Sequence, residues 1–181
     1  MGYFNPIPDE NKFIDKYLKW LADIIVVIVL AIFVIHFFCY QADVVGNSMA
    51  DELNNSERIL VNKLSYEIGT PKRFDVIVFK NDDNVVVKRI IALPGERVKI
   101  ENSTIYINGV AIEDPYFDGN YESGNATTES EVGPNEYFVM GDNRNVSEDS
   151  RFSYVGNVKY EDILGKAWFV SAPFDRLGFI D

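Results

Sequence analysis

The stretch from Thr104 to Ile112 reads TIYINGVAI and carries a strong signal for a β-hairpin. Apolar and polar residues alternate around Asn108-Gly109, which is typical of two strands that each turn one face towards a core. Asn-Gly suits a two-residue type I′ turn, because both central residues of that turn need a positive φ. The stretch therefore predicts an antiparallel hairpin.

Short runs rich in Val, Ile and aromatic residues continue outward from this hairpin in both directions. Clusters of Gly, Pro, Asn and Asp separate them. The further predicted strands are Ile59–Asn62, Asp75–Lys80, Val85–Leu93, Arg97–Glu101, Tyr137–Met140 and Ala167–Ser171. We therefore expect a mainly β, antiparallel domain of sandwich or barrel type. The acidic segment 113–136 has little apolar periodicity and predicts a long surface excursion.

The N-terminal part of the chain has a different character. Leu18 to Tyr40 reads LKWLADIIVVIVLAIFVIHFFCY, and its later part carries no charge apart from the titratable His36. Roughly 20 such residues span the apolar core of a bilayer. Trp20 and Tyr40 suit the two membrane interfaces. The sequence predicts an uncleaved transmembrane anchor over 18–41, since a core helix usually has a polar face and Tyr40 is bulky for a signal-peptide cleavage site.

The distribution of basic residues predicts how this anchor is oriented. Lys12, Lys16 and Lys19 precede or begin the span, and the next Lys or Arg is Arg58. Because basic residues favour the cytoplasmic side, we expect residues 1–17 in the cytoplasm. Residues 42–181 then form an extracytoplasmic domain, in a single-pass protein of the cell membrane that contacts the lipid bilayer.

Composition excludes several kinds of function. The 181 residues carry a formal net charge of −11, which argues against nucleic acid as a partner. The chain has one cysteine, Cys39, and one histidine, His36, both within the predicted anchor. The following domain therefore has no Ser-His-Asp triad and no Cys- or His-rich metal site. We expect no metal and no cofactor.

Three segments carry residues suited to catalysis. Gly46–Met49 reads GNSM, and Val85–Ile91 places Lys88-Arg89 among β-branched residues. Gly141–Arg151 collects hydroxyls, carboxylates and arginines. Each also fits a plainer interpretation: a linker turn, an edge strand protected by lysine, or a solvated loop. Taken together they fit a serine nucleophile activated by a lysine that burial, helped by Arg89, keeps neutral.

At these segments the sequence resembles the type I signal peptidases, bacterial membrane-bound serine proteases with a Ser–Lys dyad. Residues 46–49 resemble the nucleophile box, and residues 87–96, VKRIIALPGE, resemble the general-base box. Residues Arg73–Phe79 resemble a strand box that usually reads R-G-D-V/I-V-x-F. Residues Gly141–Arg151 resemble the last box, G-D-N-R-x-x-S-x-D-S-R, and the ending Pro173–Gly178 resembles the family's C-terminus. The matches follow the family's order and cover nearly the whole chain.

The resemblance implies roles for individual residues. Ser48 matches the nucleophile and Lys88 its general base, while the backbone N–H of Ser48 matches a donor of the oxyanion hole. Gly46 stands where some members carry a serine hydroxyl as a second donor, so no side-chain donor is expected there. Ser147 matches the hydroxyl that orients the lysine.

The last matching segment supplies the remaining implied residues. Asp149 and Arg151 match a structural ion pair beside the site. Asp142 and Arg144 are expected to support the same loop. The implied substrates are the signal peptides of exported preproteins, bound extended at the membrane surface with small residues in two shallow pockets.

One box departs from the family's pattern. After Ser-Met the family usually reads x-Pro-Thr-Leu, whereas this chain reads Ala50-Asp51-Glu52-Leu53. Carboxylates near Lys88 would favour its charged form and oppose its use as a base. An alternative interpretation is therefore an accessory or chaperone protein of surface-fibre (pilus) assembly on the same scaffold, with weak or no proteolytic activity and with secretion or pilus-assembly proteins as partners. A self-cleaving repressor of the related Ser–Lys class fits poorly, since those proteins are soluble and bind DNA.

Overall fold

The Asn108-Gly109 pair forms the predicted turn. Its two residues have φ values of 52° and 78°, as a type I′ turn requires. The turn joins the antiparallel strands Thr104–Ile107 and Val110–Ile112, whose ends Ile107 and Val110 pair with each other.

The computed structural model describes residues 10–50, 52–82 and 84–181, and for 10–13 and 34–38 it describes the backbone only. The chain divides into two compact units, Met1–Phe38 and Cys39–Asp181. In chain order the helices and strands are α1 (Glu10–Phe38), β1 (Cys39–Asp43), β2 (Arg58–Asn62), α2 (Leu64–Ile68), β3 (Val76–Asn81), β4 (Asn84–Ala92), β5 (Arg97–Glu101), β6 (Thr104–Ile107), β7 (Val110–Ile112), β8 (Ser130–Glu131), β9 (Glu136–Met140), β10 (Val158–Lys159), β11 (Ile163–Ala172) and β12 (Gly178–Phe179). Short 3₁₀ turns lie at Gly124–Thr127, Tyr160–Asp162 and Phe174–Arg176.

The strands form two sheets. In the larger sheet the order is β1–β2–β11–β3–β4–β9–β10, with β12 alongside β11. In the smaller sheet the order is β7–β6–β5–β8. Every pairing between the described strands is antiparallel, which confirms the predicted fold class.

β4 lies inside the larger sheet, between β3 and β9, and its second half is buried. Ile90, Ile91 and Ala92 are inaccessible to solvent, which explains why this half of the strand is an apolar run rather than an alternating one. Ile90 packs in a cluster with Ile77 and Val139, whereas Ile91 packs with the smaller sheet. The second half of the strand, just after Lys88 and Arg89, is therefore packed on both faces.

The described part of the N-terminal unit is the helix α1. The helix ends at Phe38 and β1 begins at Cys39, so the last residues of the predicted 18–41 span lie in the first strand. None of the helices in the described part of the chain combines the length and the apolar character needed to cross a membrane.

The acidic excursion 113–136 is more closely packed than its composition suggests. Ala126 and Val132 are buried in the core cluster of the smaller sheet. The segment also contributes β8, where Ser130 pairs with Val98. These contacts fix the excursion to the domain.

Candidate active site

A short loop after β1 carries Ser48. Met49 and Leu53 are buried in the core below it, and the Leu53 N–H donates to the carbonyl oxygen of Met49 over 2.7 Å. Gly46 has a φ of 87°, a conformation that glycine adopts without strain. Its N–H donates to Asn55 Oδ1 over 2.8 Å. The loop is therefore held from both ends, with Ser48 half-buried between them.

Lys88 comes from the first half of β4. Lys88 pairs with Ile77 of β3, but pairing with β9 on the other side starts only at Arg89, opposite Met140. Among the described strands, none pairs with residues 84–88 on that side. This part of β4 therefore has a free edge.

One cleft of about 630 Å³ contains both residues. Ser48 and Lys88 line it together, with the apolar side chains of Val45, Val85 and Val146 nearby. Lys88 itself is only 4% exposed. The structure thus brings the serine and the lysine of the sequence prediction into one open, partly apolar groove.

The surroundings of Lys88 favour its neutral form. Burial lowers the pKa of its ammonium from 10.5 to about 8, and the nearby Arg151 acts in the same direction. The carboxylates of Asp149, Glu148 and Asp142 oppose this effect. Within the described residues Lys88 Nζ has no hydrogen-bond partner. A lysine with this pKa is partly neutral near pH 8 and can accept a proton.

We expected Arg89 to help to lower the pKa of Lys88. The guanidinium of Arg151, which the sequence did not indicate for this role, lowers that pKa. Arg89 alternates to the other face of β4, where both oxygens of Asp142 accept its hydrogen bonds, over 2.9 and 2.6 Å. The pairing neutralises its charge.

The loop after β9 lies against the Ser48 loop. The Asn143 N–H donates to the carbonyl oxygen of Ser48 over 3.1 Å. Gly141 fits between the same carbonyl and the hydroxyl of Ser147, and a Cβ on Gly141 would lie 2.3 Å from each oxygen. Glycine is required here because no side chain has room.

Ser147 lies behind the cleft and does not line it. It is 4% exposed, and its Oγ accepts a hydrogen bond from the Gly141 N–H over 3.1 Å. Its neighbours Val146 and Glu148 do line the cleft. Among the described residues no hydrogen bond joins Ser147 to Lys88.

Three arginine–carboxylate pairs, two of them fully buried, surround this loop. Arg151 donates to Asp149 over 2.8 and 2.9 Å, and Asp149 also accepts the Gly141 N–H over 3.0 Å. Arg144 donates from Nε to the Gly141 carbonyl over 2.9 Å and pairs with Asp114 of the acidic excursion. The third pair is Arg89–Asp142. Together the pairs fix the backbone on both sides of Gly141.

Aromatic residues of the acidic excursion cover these arginines. The guanidinium carbon of Arg89 lies 3.4 Å from the ring centre of Tyr116. The ring centre of Tyr121 lies 5.3 Å from the guanidinium carbon of Arg144 and 5.4 Å from that of Arg151. The excursion therefore shields the buried pairs from water, which strengthens them.

The altered residues of the nucleophile box are only partly described. Asp51 lies outside the described residues. The Glu52 carboxylate accepts a hydrogen bond from the backbone N–H of Asp181 over 3.0 Å, and Glu52 does not line the cleft of Lys88. The Glu52 carboxylate therefore lies outside this cleft and contacts the C-terminal residue of the domain.

Sequence reasoning missed several supporting residues. Met49, Leu53 and Asn143 hold the Ser48 loop in place, and Asp114 holds Arg144 from a distant segment. The apolar spacing of Met49 and Leu53 was a usable signal, because residues four apart in a tight turn face the same way. Nothing local in the sequence marks Asp114.

Comparison with known families assigns the chain. The model of the family described as "Signal peptidase, peptidase S26" matches residues 17–172. The chain therefore belongs to the signal peptidase family, peptidase S26. The resemblance drawn from the sequence motifs is confirmed.

Individual relatives agree with this assignment. Signal peptidase I S of Bacillus subtilis (strain 168) is 38% identical over 169 residues, covering 88% of this chain and 91% of the relative. Signal peptidase IB of Staphylococcus aureus (strain MRSA252) is 35% identical over 183 residues, covering 91% and 94%. A crystal structure of a signal peptidase I from Enterococcus faecalis V583, 35% identical, covers 53% of this chain and 95% of that chain with a TM-score of 0.45.

Proposed function

We propose that this chain is an active signal peptidase that removes signal peptides from exported preproteins, with Ser48 as nucleophile and Lys88 as general base. The observation that carries the proposal is the single cleft that Ser48 and Lys88 share, with the lysine buried and its pKa at about 8. A serine hydroxyl is a weak nucleophile at neutral pH, so it needs a base that is neutral there. Within the described domain no histidine competes for this role.

The reaction follows from these two groups. Neutral Lys88 Nζ accepts the proton of Ser48 Oγ while the oxygen attacks the carbonyl carbon of the scissile peptide bond. The backbone N–H of Ser48, which has no partner among the described residues, donates to the oxyanion. Lys88 then gives its proton to the leaving amine. Water, deprotonated by Lys88, then attacks the acyl carbon. The bond from this carbon to Ser48 Oγ breaks, and the oxygen takes the proton back from Lys88, which restores both residues.

Gly46 contributes less to oxyanion binding than its position implies. Its N–H is already bonded to Asn55, and its lack of a side chain leaves no hydroxyl to donate. We assign it the role of shaping the loop, so that the N–H of Ser48 points to the reacting carbonyl.

The free edge of β4 is suited to binding the substrate. An extended peptide pairs with an unpaired edge through main-chain hydrogen bonds, and its alternate side chains then face the protein. Residues 84–88 offer such an edge along the cleft that holds Ser48. Val45, Val85 and Val146 form apolar walls, which favour small apolar side chains next to the scissile bond.

The loop after β9 positions the dyad. Its contacts to the Ser48 carbonyl, through Gly141 and Asn143, hold the nucleophile against β4. Ser147 Oγ accepts one hydrogen bond, from the Gly141 N–H, and its second lone pair can accept another from Lys88 Nζ, which would orient the lysine and leave its own lone pair free for the serine proton. Asp149–Arg151 and Asp142–Arg89 fix the backbone of this loop.

We further propose that the N-terminal helix anchors the protein in the cell membrane as a single span, with residues 42–181 outside. The uncharged sequence continues beyond residue 33, through residues whose side chains the structure does not describe. Ser48 follows this segment by fewer than ten residues, so a signal peptide leaving the bilayer is within reach. Protease treatment of right-side-out vesicles is expected to degrade 42–181, and protection of that domain would contradict this topology.

The decisive test is cleavage of a membrane-inserted preprotein by wild type, Ser48→Ala and Lys88→Ala in the same detergent. We expect cleavage by wild type alone. Lys99→Ala, at a half-buried lysine on β5 outside the cleft, is the matched control and should cleave normally. Cleavage by Ser48→Ala would exclude this nucleophile. Failure of folded wild type on a native substrate would favour the assembly role instead.

A further inference from the structure

The C-terminal residues contact the nucleophile loop at the position where this chain departs from its family. Glu52 stands where the family usually has threonine, and its carboxylate accepts the N–H of Asp181 over 3.0 Å. The carbonyl oxygen of Glu52 accepts a hydrogen bond from Arg176 Nη2, also over 3.0 Å. The main chain and the side chain of Glu52 are thus both bound by residues 173–181, a segment that we term the C-terminal strap.

The strap continues from Glu52 to the strand that carries Lys88. The main-chain oxygen of Asp181 accepts a hydrogen bond from Arg89 Nη1 over 2.5 Å. Asp181 therefore links a carboxylate in the nucleophile loop to the residue that follows Lys88, through its two main-chain groups. Arg89 is wholly buried and is held by Asp142, so this end of the link is rigid.

The strap is itself well anchored. Ile180 is buried in the core and its N–H donates to the carbonyl oxygen of Trp168 over 3.1 Å. Arg176 Nε donates to Glu57 Oε1 over 2.8 Å, and the same buried carboxylate accepts the Asn54 N–H. The strap thus binds the nucleophile loop both at Glu52 and just after it.

We propose that Glu52 is a positioning residue of the active site: through the main chain of Asp181 it fastens the loop that carries Ser48 to Arg89 on the strand that carries Lys88. This inference rests on the proposed function of Ser48 and Lys88. Two groups on separate segments need a defined separation for proton transfer, and small displacements are costly in rate. Glu52 supplies one connection between the two segments that does not pass through the substrate cleft.

The chemistry of the link predicts which substitutions matter. The donor at Asp181 is a backbone N–H, so Glu52 needs an oxygen acceptor at the end of a long side chain rather than a charge. Glu52→Gln keeps such an oxygen, whereas Glu52→Ala removes it. A chain that ends at Ile180 removes the other partner and leaves Glu52 intact.

The test compares full-length wild type, Glu52→Ala, Glu52→Gln and the chain ending at Ile180 on the same preprotein. We expect kcat per titrated active site to fall about 10- to 100-fold for Glu52→Ala and for the shortened chain, with KM unchanged. Glu52→Gln should restore most of the rate. The double variant should be no slower than the slower single variant, because both changes break one connection. Glu161→Ala, at an exposed glutamate on a different surface, is the matched control.

The outcomes separate this inference from the proposed function. A normal kcat in Glu52→Ala overturns the positioning role, and so do additive losses in the double variant. A loss confined to the fraction of titratable sites assigns Glu52 to folding alone and also overturns it. If Glu52→Ala does not fold, the shortened chain and Glu52→Gln decide the question. Inactive wild type, or active Ser48→Ala, instead refutes the Ser48–Lys88 mechanism.

Discussion

Lys88 and Arg89 are adjacent cations on one strand, yet they lie in opposite environments. Lys88 faces a cleft, has no hydrogen-bond partner among the described residues, and has its pKa lowered to about 8 by burial. Arg89 faces the interior, where Asp142 binds it through two hydrogen bonds and Tyr116 covers it. The strand thus presents the Lys88 side chain to the cleft, while the Arg89 side chain is fixed by its hydrogen bonds in the interior.

The difference follows from the two side chains. Lysine has one compact charge that burial can neutralise by removing a proton, whereas arginine stays charged and needs partners in a fixed plane. A buried arginine therefore holds the neighbouring loops in place through its hydrogen bonds, whereas a buried lysine can lose its proton and act as a base. Removing each of the two side chains should separate their contributions to activity and stability.

The largest expected effect is on activity, in Lys88→Met. We expect cleavage to fall by at least about 10³-fold, because in the proposed mechanism Lys88 is the base that activates Ser48. The folded protein should nevertheless become more stable near pH 7. The shift of the lysine pKa from 10.5 to about 8 corresponds to a cost of about 3 kcal/mol, which methionine avoids.

The pH dependence of stability checks this interpretation of Lys88. Below pH 8 both the folded and the unfolded chain hold the lysine proton, so the cost is fully present. Between about 8 and about 10.5 the unfolded state binds the proton and the folded state does not, so stability rises with pH. Urea unfolding followed by near-UV circular dichroism should show this rise in wild type. Its persistence in Lys88→Met would assign the rise to another group.

The next effect is on stability, in Arg89→Met. This change leaves Asp142 buried without its partner, and we expect the free energy of unfolding to fall by about 3–5 kcal/mol. Urea unfolding of wild type and variant in the same detergent measures it. Arg97→Met, at an exposed residue on β5, should change stability little. A similar small change in Arg89→Met would mean that the pair is not needed for folding.

The sequence predicted most of the strands because their signals are local. The hairpin around Asn108-Gly109 and the strand Arg97–Glu101 have the predicted bounds, since each is set by its own turn residues and apolar pattern. β1, β8, β10 and β12 were not predicted. They are short or lie at sheet edges, where pairing partners distant in sequence supply the hydrogen bonds.

The candidate site was predictable to a similar degree. The motifs identified Ser48 and Lys88, and the structure brings both into one cleft. The direction in which each charge points was not predictable, because Arg89 and Glu52 are oriented by Asp142 and Asp181, which are far away in the chain. The sequence of a strand predicts that successive side chains point to opposite faces of the sheet. Which of the two faces lines the cleft depends on tertiary contacts, which the local sequence does not show.

A smaller fall in activity, caused by a change in the geometry of the site, is expected for Gly141→Ala. The added methyl group would lie 2.3 Å from both the Ser48 carbonyl and the Ser147 hydroxyl, so the two loops must separate. We expect kcat to fall about 10- to 100-fold and stability by about 1–3 kcal/mol. Gly109→Ala, a turn glycine with nothing within 4 Å of its added Cβ, should spare kcat in the same cleavage assay. Normal kcat in Gly141→Ala would mean that this contact does not position Ser48.

The smallest expected effect concerns the charge around Lys88, in Glu148→Gln. In the proposed mechanism only neutral Lys88 accepts the serine proton, so kcat/KM of wild type should rise with pH to half its maximum near pH 8. The Glu148 carboxylate raises the lysine pKa, so its removal should move this midpoint to lower pH and increase the rate at pH 7. Glu148 is exposed, so added salt should shrink the difference between variant and wild type. Glu129→Gln, at an exposed glutamate outside the cleft, should leave the midpoint unchanged. A midpoint that moves upward in Glu148→Gln would show that the titrating group is not a cation held beside this carboxylate, and Lys88 would lose its assignment as the base.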